Sequence, residues 1–127
     1  MKTLLAFLLF ISPLAATADI IDDIATAIRK GNSKEISKFL AENIDIKVLD
    51  KESIYSRAQA ELILKDFFAK HQVQEFTVIR KSQTKNEAQF AIGTLKTSTG
   101  NYRVHYLLKM STGTNTVTQF RIENNDE

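Results

Sequence analysis

Apolar residues recur every three or four positions through the first part of the chain, a spacing typical of helices that bury one side. This pattern predicts a helix over residues 20–30, with acidic residues near its start and Arg29 at its end, the order that the helix dipole favours. Gly31 ends this helix, and Asn32 can cap a second, short helix whose buried side includes Leu40. Two helices are therefore expected first.

A stronger helical pattern follows a short strand. Alternation of apolar and polar residues predicts that strand over residues 44–48, and a turn follows around Asp50-Lys51-Glu52. Ser56 and Gln59 have the spacing of a capping box, which marks the start of a helix. The apolar positions that follow have helical spacing: Ala60, Ile63, Leu64, Phe67 and Phe68. We expect this long helix to bury both phenylalanines in the core.

The second half of the chain contains four segments rich in strand-forming residues, at 75–83, 87–97, 102–110 and 116–123. Turn-forming residues separate them: Lys85-Asn86, Thr99-Gly100-Asn101 and Thr112-Gly113-Thr114. Connections this short join antiparallel neighbours, so a meander is expected. Either Thr99-Gly100 or Gly100-Asn101 can form the middle turn.

The two middle strands predict a sheet with two different faces, because side chains alternate with period two. We expect the more apolar face to cover the core, and it contains Ala91, Gly93, Leu95, Val104, Tyr106 and Leu108. The second face places Phe90, Ile92 and Leu107 among basic residues, a pattern typical of an association surface. Gly93 predicts a bend that an aromatic ring such as Tyr106 covers.

Helices followed by antiparallel strands predict an α+β fold, with the helices packed on the concave face of a curved antiparallel sheet. No internal repeat, linker or low-complexity tract interrupts residues 19–127, which we expect to form a single α+β domain. Residues 1–18 have the features of an export signal: a basic start, an apolar run from Leu4 to Ile11, and small residues before Asp19. No later segment is long and apolar enough to span a bilayer.

The amino-acid composition excludes several kinds of catalytic and metal-binding site. The chain is 43% hydrophobic and 25% charged, as in ordinary globular proteins. It has no cysteine, which excludes disulfides and thiolate catalysis, and its two histidines, His71 and His105, are too few for a convincing metal site. No Gly-rich phosphate loop, nucleophile elbow or base-stacking platform is present. We expect no metal, no cofactor and no nucleic-acid partner, and we assign no catalytic residue.

The predicted compartment is a bacterial envelope, either the periplasm or the outside of the cell. After the predicted signal, the chain has no cysteine, no proline and no Asn-x-Ser/Thr site, which suits a bacterial envelope better than a eukaryotic secretory route.

Several segments are similar to a known family: Tyr55–Glu61, Leu64–Phe68, Phe76–Ile79, Phe90–Leu95, Tyr102–Lys109 and Gln119–Glu123. Together they resemble domain of unknown function 4783, a bacterial family of small exported proteins in the nuclear transport factor 2-like (cystatin-like α+β cone) superfamily. The resemblance covers essentially the whole chain after the predicted signal. It implies the cone fold, and it implies no catalytic residue because none is established for the family.

The cone fold implies a pocket between the long helix and the concave face of the sheet. The candidate lining residues are Tyr55, Phe67, Phe68, Tyr102, Tyr106 and Leu108. We expect a noncatalytic domain that binds a small molecule or an envelope protein. One alternative is an isomerase- or dehydratase-type enzyme in the same cavity, which requires a buried acid or histidine beside another polar group. The other is a structural module that forms a homodimer, as cone relatives often do through their sheets.

Overall fold

The computed structural model describes residues 19–83, 88–111 and 114–125. In these ranges three helices and six strands follow one another along the chain: α1 (Ile20–Arg29), α2 (Ser33–Ser37), β1 (Leu40–Val48), β2 (Lys51–Ser56), α3 (Arg57–Lys70), β3 (Val73–Gln83), β4 (Gln89–Thr97), β5 (Gly100–Ser111) and β6 (Thr114–Asn124). The predicted export signal, the predicted turn at 85–86 and the first two residues of the predicted turn at 112–114 lie outside the described residues, and Thr114 begins β6.

The six strands form one curved sheet in the order β2-β1-β6-β5-β4-β3. Four of the five strand pairings are antiparallel, and the fifth, between β1 and β6, is parallel. The predicted fold class is therefore confirmed. The parallel pairing was not predicted, because short turns specify only neighbours along the chain and β1 is far from β6 in sequence.

The two short helices follow their capping residues. The Asp19 side chain accepts a hydrogen bond from the Ile21 backbone at the start of α1, and the Asn32 side chain accepts one from Glu35 at the start of α2. The second helix ends earlier than predicted, at Ser37. Leu40 instead begins β1, where it pairs with Val117 of β6. Sheet pairing therefore decides the conformation of a residue whose spacing alone favours a helix.

Helix α3 matches its prediction closely. Both hydrogen bonds of the capping box between Ser56 and Gln59 are present. The buried side chains of this helix are Ala60, Leu64, Phe67 and Phe68, and Ile63 is partly buried against the same core. Burial of a phenylalanine stabilises the folded state by about 2–3 kcal/mol, so α3 is firmly attached to the sheet.

The predicted sorting of the sheet faces is confirmed, although the middle turn is not where it was expected. Thr97 pairs with Gly100, so Ser98 and Thr99 form the connection between β4 and β5. The assignment of this turn to Gly100 was wrong. The observed pairing of β4 with β5 differs from the expected pairing by an even number of residues, so each side chain stays on its predicted face of the sheet. The inner residues of both strands, including Tyr106 and Leu108, are buried in the core as expected.

Gly93 permits close contact between two strands. A Cβ atom at this position would lie 2.5 Å from Cζ of Phe76 and 2.6 Å from the carbonyl oxygen of Thr77, both on the neighbouring strand β3. The aromatic ring over Gly93 is therefore that of Phe76, and the expectation of Tyr106 in this role was wrong. Tyr106 instead reaches towards the helices, where its hydroxyl donates a hydrogen bond to the carbonyl oxygen of Ile21 at 2.9 Å.

Candidate functional site

A groove lies between the exposed flank of α3 and the turn that joins β1 to β2. We call it the α3 groove. It has a volume of about 430 Å³, and its lining residues are Val48, Leu49, Asp50, Lys51, Leu62, Ile63, Asp66, Phe67, Lys70 and His71. Five of these ten residues are apolar. The volume falls in the range of small-molecule sites in other proteins.

Helix periodicity places one row of three side chains on the inner wall of the groove. Ile63, Phe67 and His71 are four residues apart, so they lie one above another on the same side of α3. The rings of Phe67 and His71 stack, with centroids 4.3 Å apart. This wall is therefore apolar for most of its length and becomes polar at the C-terminal end of α3.

A second row forms the outer edge of the groove. It contains Leu62, Asp66 and Lys70, again at four-residue spacing. Leu62 is 63% exposed. The Lys70 ammonium lies 3.2 Å from a carboxylate oxygen of Asp66, so these two charges form an ion pair on the surface. Leu62 and Lys70 are eight residues apart, which corresponds to about 12 Å along the helix.

The opposite wall is a tight turn with an uncommon backbone conformation. Val48 pairs with Lys51, so Leu49 and Asp50 form the connection, one residue earlier than predicted. Leu49 has a φ angle of +58°, which brings its Cβ close to its own carbonyl oxygen and costs about 1–2 kcal/mol. Its N–H donates a hydrogen bond to Ile122 of β6 at 2.8 Å, which holds it in this conformation. The Leu49 side chain is partly buried against the core and lines the groove.

A small hydrogen-bonded cluster lies at the polar end of the groove. His71 Nδ1 lies 2.6 Å from the Thr99 hydroxyl and 3.3 Å from the Tyr102 hydroxyl, and the two hydroxyls are 3.0 Å apart. The Tyr102 ring also contacts Phe67 edge-on, at a centroid distance of 5.5 Å. We call His71, Thr99 and Tyr102 the His71 cluster. It connects the end of α3 to the β4–β5 turn.

The interior beside the groove has few polar side chains. The buried polar residues in the described part of the chain are Ser33, Ser37 and Thr97, and no buried side-chain nitrogen or oxygen there lacks a hydrogen-bond partner. Burial raises the pKa of the Tyr106 hydroxyl above its usual value, so this group stays protonated. No group of three or more His, Cys, Asp or Glu residues that could hold a metal ion occurs among the described residues.

The six predicted lining residues occupy different environments. Phe67 lines the α3 groove, and Tyr102 lies behind it in the His71 cluster. Phe68 contacts Phe67 on the buried side of the helix, at a centroid distance of 5.4 Å. Tyr106 and Leu108 are fully buried, and Tyr55 is partly buried on β2. The groove thus lies beside the space in which a pocket was expected.

No local pattern in the sequence identifies Val48, Leu49, Leu62 or Asp66 as groove residues, and Val48 is predicted only as part of the strand over residues 44–48. Leu62 carries a weak signal, since it is a leucine on the polar side of an amphipathic helix. The two hairpin residues carry none, because their position depends on how β1 pairs with β6.

The predicted association residues lie on the outer face of the sheet, away from the helices. Phe90 pairs with Leu107 across β4 and β5, and Ile92 pairs with His105. All three apolar side chains are half-buried by their neighbours on this face. Burial lowers the pKa of His105 below its usual value, and the nearby Arg121 lowers it further.

Residues 21–123 match the family model described as Domain of unknown function (DUF4783), which is most of the chain. The protein belongs to the DUF4783 family. This family match confirms the resemblance that the sequence segments indicated. No curated protein matches the chain.

Solved structures of other DUF4783 proteins have the same fold. One from Bacteroides uniformis is 29% identical, with a TM-score of 0.81, and the match covers 86% of this chain and 100% of that one. One from Bacteroides ovatus is 30% identical, with a TM-score of 0.77, and the match covers 83% of this chain and 94% of that one.

A structure with much lower sequence identity has a similar fold. A domain of unknown function with a cystatin-like fold from Nostoc punctiforme is 10% identical, with a TM-score of 0.68, and the match covers 89% of this chain and 81% of that one. This chain therefore has the α+β architecture of NTF2-like and cystatin-like folds. None of the helices in the described part of this DUF4783 chain has the length and apolarity needed to cross a membrane.

Proposed function

We propose that this DUF4783 protein is a noncatalytic binding domain that holds a small apolar ligand in the α3 groove, in the envelope compartment that its sequence predicts. The observation that carries the proposal is an apolar lining that continues from one wall to the other. Leu62, Ile63 and Phe67 contribute it from α3, and Val48 and Leu49 contribute it from the hairpin. An isolated exposed leucine needs no explanation, but one that faces other apolar residues across a groove favours a ligand.

The strained turn supports the same proposal. A leucine at positive φ is uncommon, and such residues persist where the surrounding structure holds them for a purpose. At this position the strain places an apolar side chain on the groove wall. A glycine or asparagine would adopt the same φ angle more easily, but it would not supply that apolar surface.

The polar groups favour binding over proton transfer. A proton-transfer site needs a carboxylate or histidine that is buried beside a second polar group. The groove carboxylates, Asp50 and Asp66, are exposed, and Asp66 is paired with Lys70. His71 contacts two hydroxyl groups but is only partly buried, and among the described residues it contacts no carboxylate. An isomerase or dehydratase therefore has less support than a binding domain.

Exchange of Leu62 for lysine tests the groove directly. N-phenyl-1-naphthylamine, an uncharged apolar dye whose fluorescence rises on binding, serves as the probe. We expect Leu62→Lys to weaken dye binding about tenfold or more, because the exchange removes apolar contact and introduces a charge that the dye cannot solvate. Leu62 is mostly exposed, so folding should be preserved, and circular dichroism checks this.

A matched control is available on the other face of the molecule. Ile54 is 69% exposed on β2 and does not line the groove, so Ile54→Lys adds the same charge to a similar surface. This variant should bind the dye like the parent protein. The proposal is wrong if the parent does not bind the dye, or if both lysine variants retain equal affinity.

A further inference from the structure

The α3 groove changes from apolar to polar along its length. Leu62 and Ile63 lie at one end, and Lys70 and His71 lie about two helical turns further along α3. A ligand that satisfied both ends would need an apolar body and a polar head. What kind of head fits depends on the chemistry around His71.

The His71 ring is held in place from two directions. Phe67 stacks on one face of the ring, and the hydroxyls of Thr99 and Tyr102 contact Nδ1. Among the described residues, the other ring nitrogen, Nε2, has no hydrogen-bond partner. A fixed ring that lines a groove and has one unused nitrogen is suited to orient a ligand by a single directional hydrogen bond.

The surrounding hydroxyls allow Nε2 either to donate or to accept. Thr97 Oγ1 donates to the carbonyl oxygen of Gly100 at 2.8 Å and accepts from the Thr99 N–H at 3.1 Å. The Thr99 hydroxyl can therefore donate its hydrogen bond either to His71 Nδ1 or to Thr97 Oγ1, which lies 3.2 Å away. If Nδ1 accepts the hydrogen bond from Thr99, the neutral ring carries its hydrogen on Nε2, which is then a donor. If Nδ1 donates to Thr99, Nε2 of the neutral ring is an acceptor.

The charges around the groove favour neither an anion nor a cation. Lys51 and Lys70 are balanced by Asp50 and Asp66. The C-terminal end of α3, which carries the negative end of the helix dipole, opposes an anionic head near His71. Lys70, which lines the groove next to His71, opposes a cationic head at that end. A charged head would also lose hydration without gaining a dedicated partner.

We propose that the α3 groove binds a neutral amphiphile whose head hydroxyl or carbonyl group hydrogen-bonds to Nε2 of His71. The apolar chain of this ligand lies along Leu62, Ile63 and Phe67 and against Leu49. This inference rests on the proposed function, because it names the class of ligand for the same groove.

Three probes with the same eight-carbon chain test this choice: 1-octanol, octanoate and octylammonium, each titrated at neutral pH and followed by isothermal titration calorimetry. We expect 1-octanol to bind about three- to tenfold more tightly than either ion, the range that one hydrogen bond or one unmatched charge accounts for. The inference is overturned if either ion binds as tightly as the alcohol. If none of the three binds, the proposed function fails as well.

Variants of the His71 cluster separate recognition of the head from a general loss of folding. His71→Ala should weaken octanol binding about three- to tenfold, and His71→Gln should restore most of it because its amide can also donate or accept. Thr99→Val should give an intermediate loss, since it removes the hydroxyl that fixes the ring. In all three variants the loss of affinity should be smaller for N-phenyl-1-naphthylamine, which has no hydroxyl or carbonyl head, than for octanol. Octanol affinity that is unchanged in His71→Ala would overturn the inference and leave the groove proposal in place.

Discussion

Leu49 shows how one backbone torsion contributes to the shape of the α3 groove. Its φ of +58° is in the left-handed region, where glycine is more stable than any residue with a Cβ. The hydrogen bond from its N–H to Ile122 keeps it there, so the strain is balanced by the pairing of β1 with β6. Leucine thus occupies a position that its own backbone preference disfavours.

A pair of substitutions at Leu49 measures this strain. Leu49→Ala and Leu49→Gly both remove the apolar side chain, but only glycine relieves the positive φ. We expect the glycine variant to be more stable than the alanine variant by about 1 kcal/mol, measured as the difference in free energy of unfolding in urea.

The same two substitutions, to alanine and to glycine, made at Leu62 are the control for those at Leu49. Leu62 is in the interior of α3, where glycine is about 1 kcal/mol less favourable than alanine. The order of stability should therefore reverse between the two sites. Leu49→Ala equal in stability to Leu49→Gly would show that the turn is not strained.

At the scale of elements, the contact between β3 and β4 depends on the missing side chain of Gly93. The Phe76 ring occupies the space above this residue, and the Thr77 carbonyl oxygen lies equally close to where a Cβ would be. An aromatic ring can rotate away, but a backbone carbonyl in a paired strand cannot move without breaking the pairing. The neighbouring strand β3 therefore leaves no room for a side chain at position 93.

We expect Gly93→Ala to destabilise the protein by about 1–3 kcal/mol, the usual cost of a forced overlap in a packed interior. Urea unfolding measures the change, and Thr94→Ala on the opposite face of the same strand is the control, with a smaller expected effect. Combining Gly93→Ala with Phe76→Leu should not restore full stability, because the overlap with the Thr77 carbonyl remains. A Gly93→Ala variant as stable as the parent would contradict this account of the contact.

Local patterns in the sequence were sufficient to predict the helices and strands, but not to predict the α3 groove. The capping box at Ser56 and the phenylalanines of α3 specify a helix and its buried side, and alternation in β4 and β5 specifies the core face of the sheet. These depend on residues close together in the chain. The groove wall at Leu49 depends on contacts with β6, about 70 residues later, which no local pattern encodes. The end of α2 was misplaced for the same reason.

At the scale of the whole molecule, the outer face of the sheet is a candidate surface for self-association. Phe90, Ile92 and Leu107 are adjacent on this face and are not covered by the helices. We expect Phe90→Lys and Ile92→Lys to shift the protein towards the monomer, because a lysine at the centre of an apolar contact would lose its hydration. Light scattering at several protein concentrations measures the mass.

Ile54→Lys is the matched control for self-association, since Ile54 is exposed on the same face at the far edge of the sheet. This variant should associate like the parent. A parent protein that is monomeric at every concentration would remove the homodimer from consideration and leave the groove as the principal candidate site.

The position of β6 between β1 and β5 has a consequence for how the chain acquires its structure. β6 is the last of the described strands to be synthesised, yet it joins the β1–β2 hairpin to the rest of the sheet. A nascent chain that lacks β6 has two separate sheet fragments with unpaired edges. It also lacks the hydrogen bond from the Leu49 N–H to Ile122 that holds the groove wall. Contacts between such distant parts of a sequence form slowly. The six-stranded sheet should therefore remain incomplete until β6 has been synthesised.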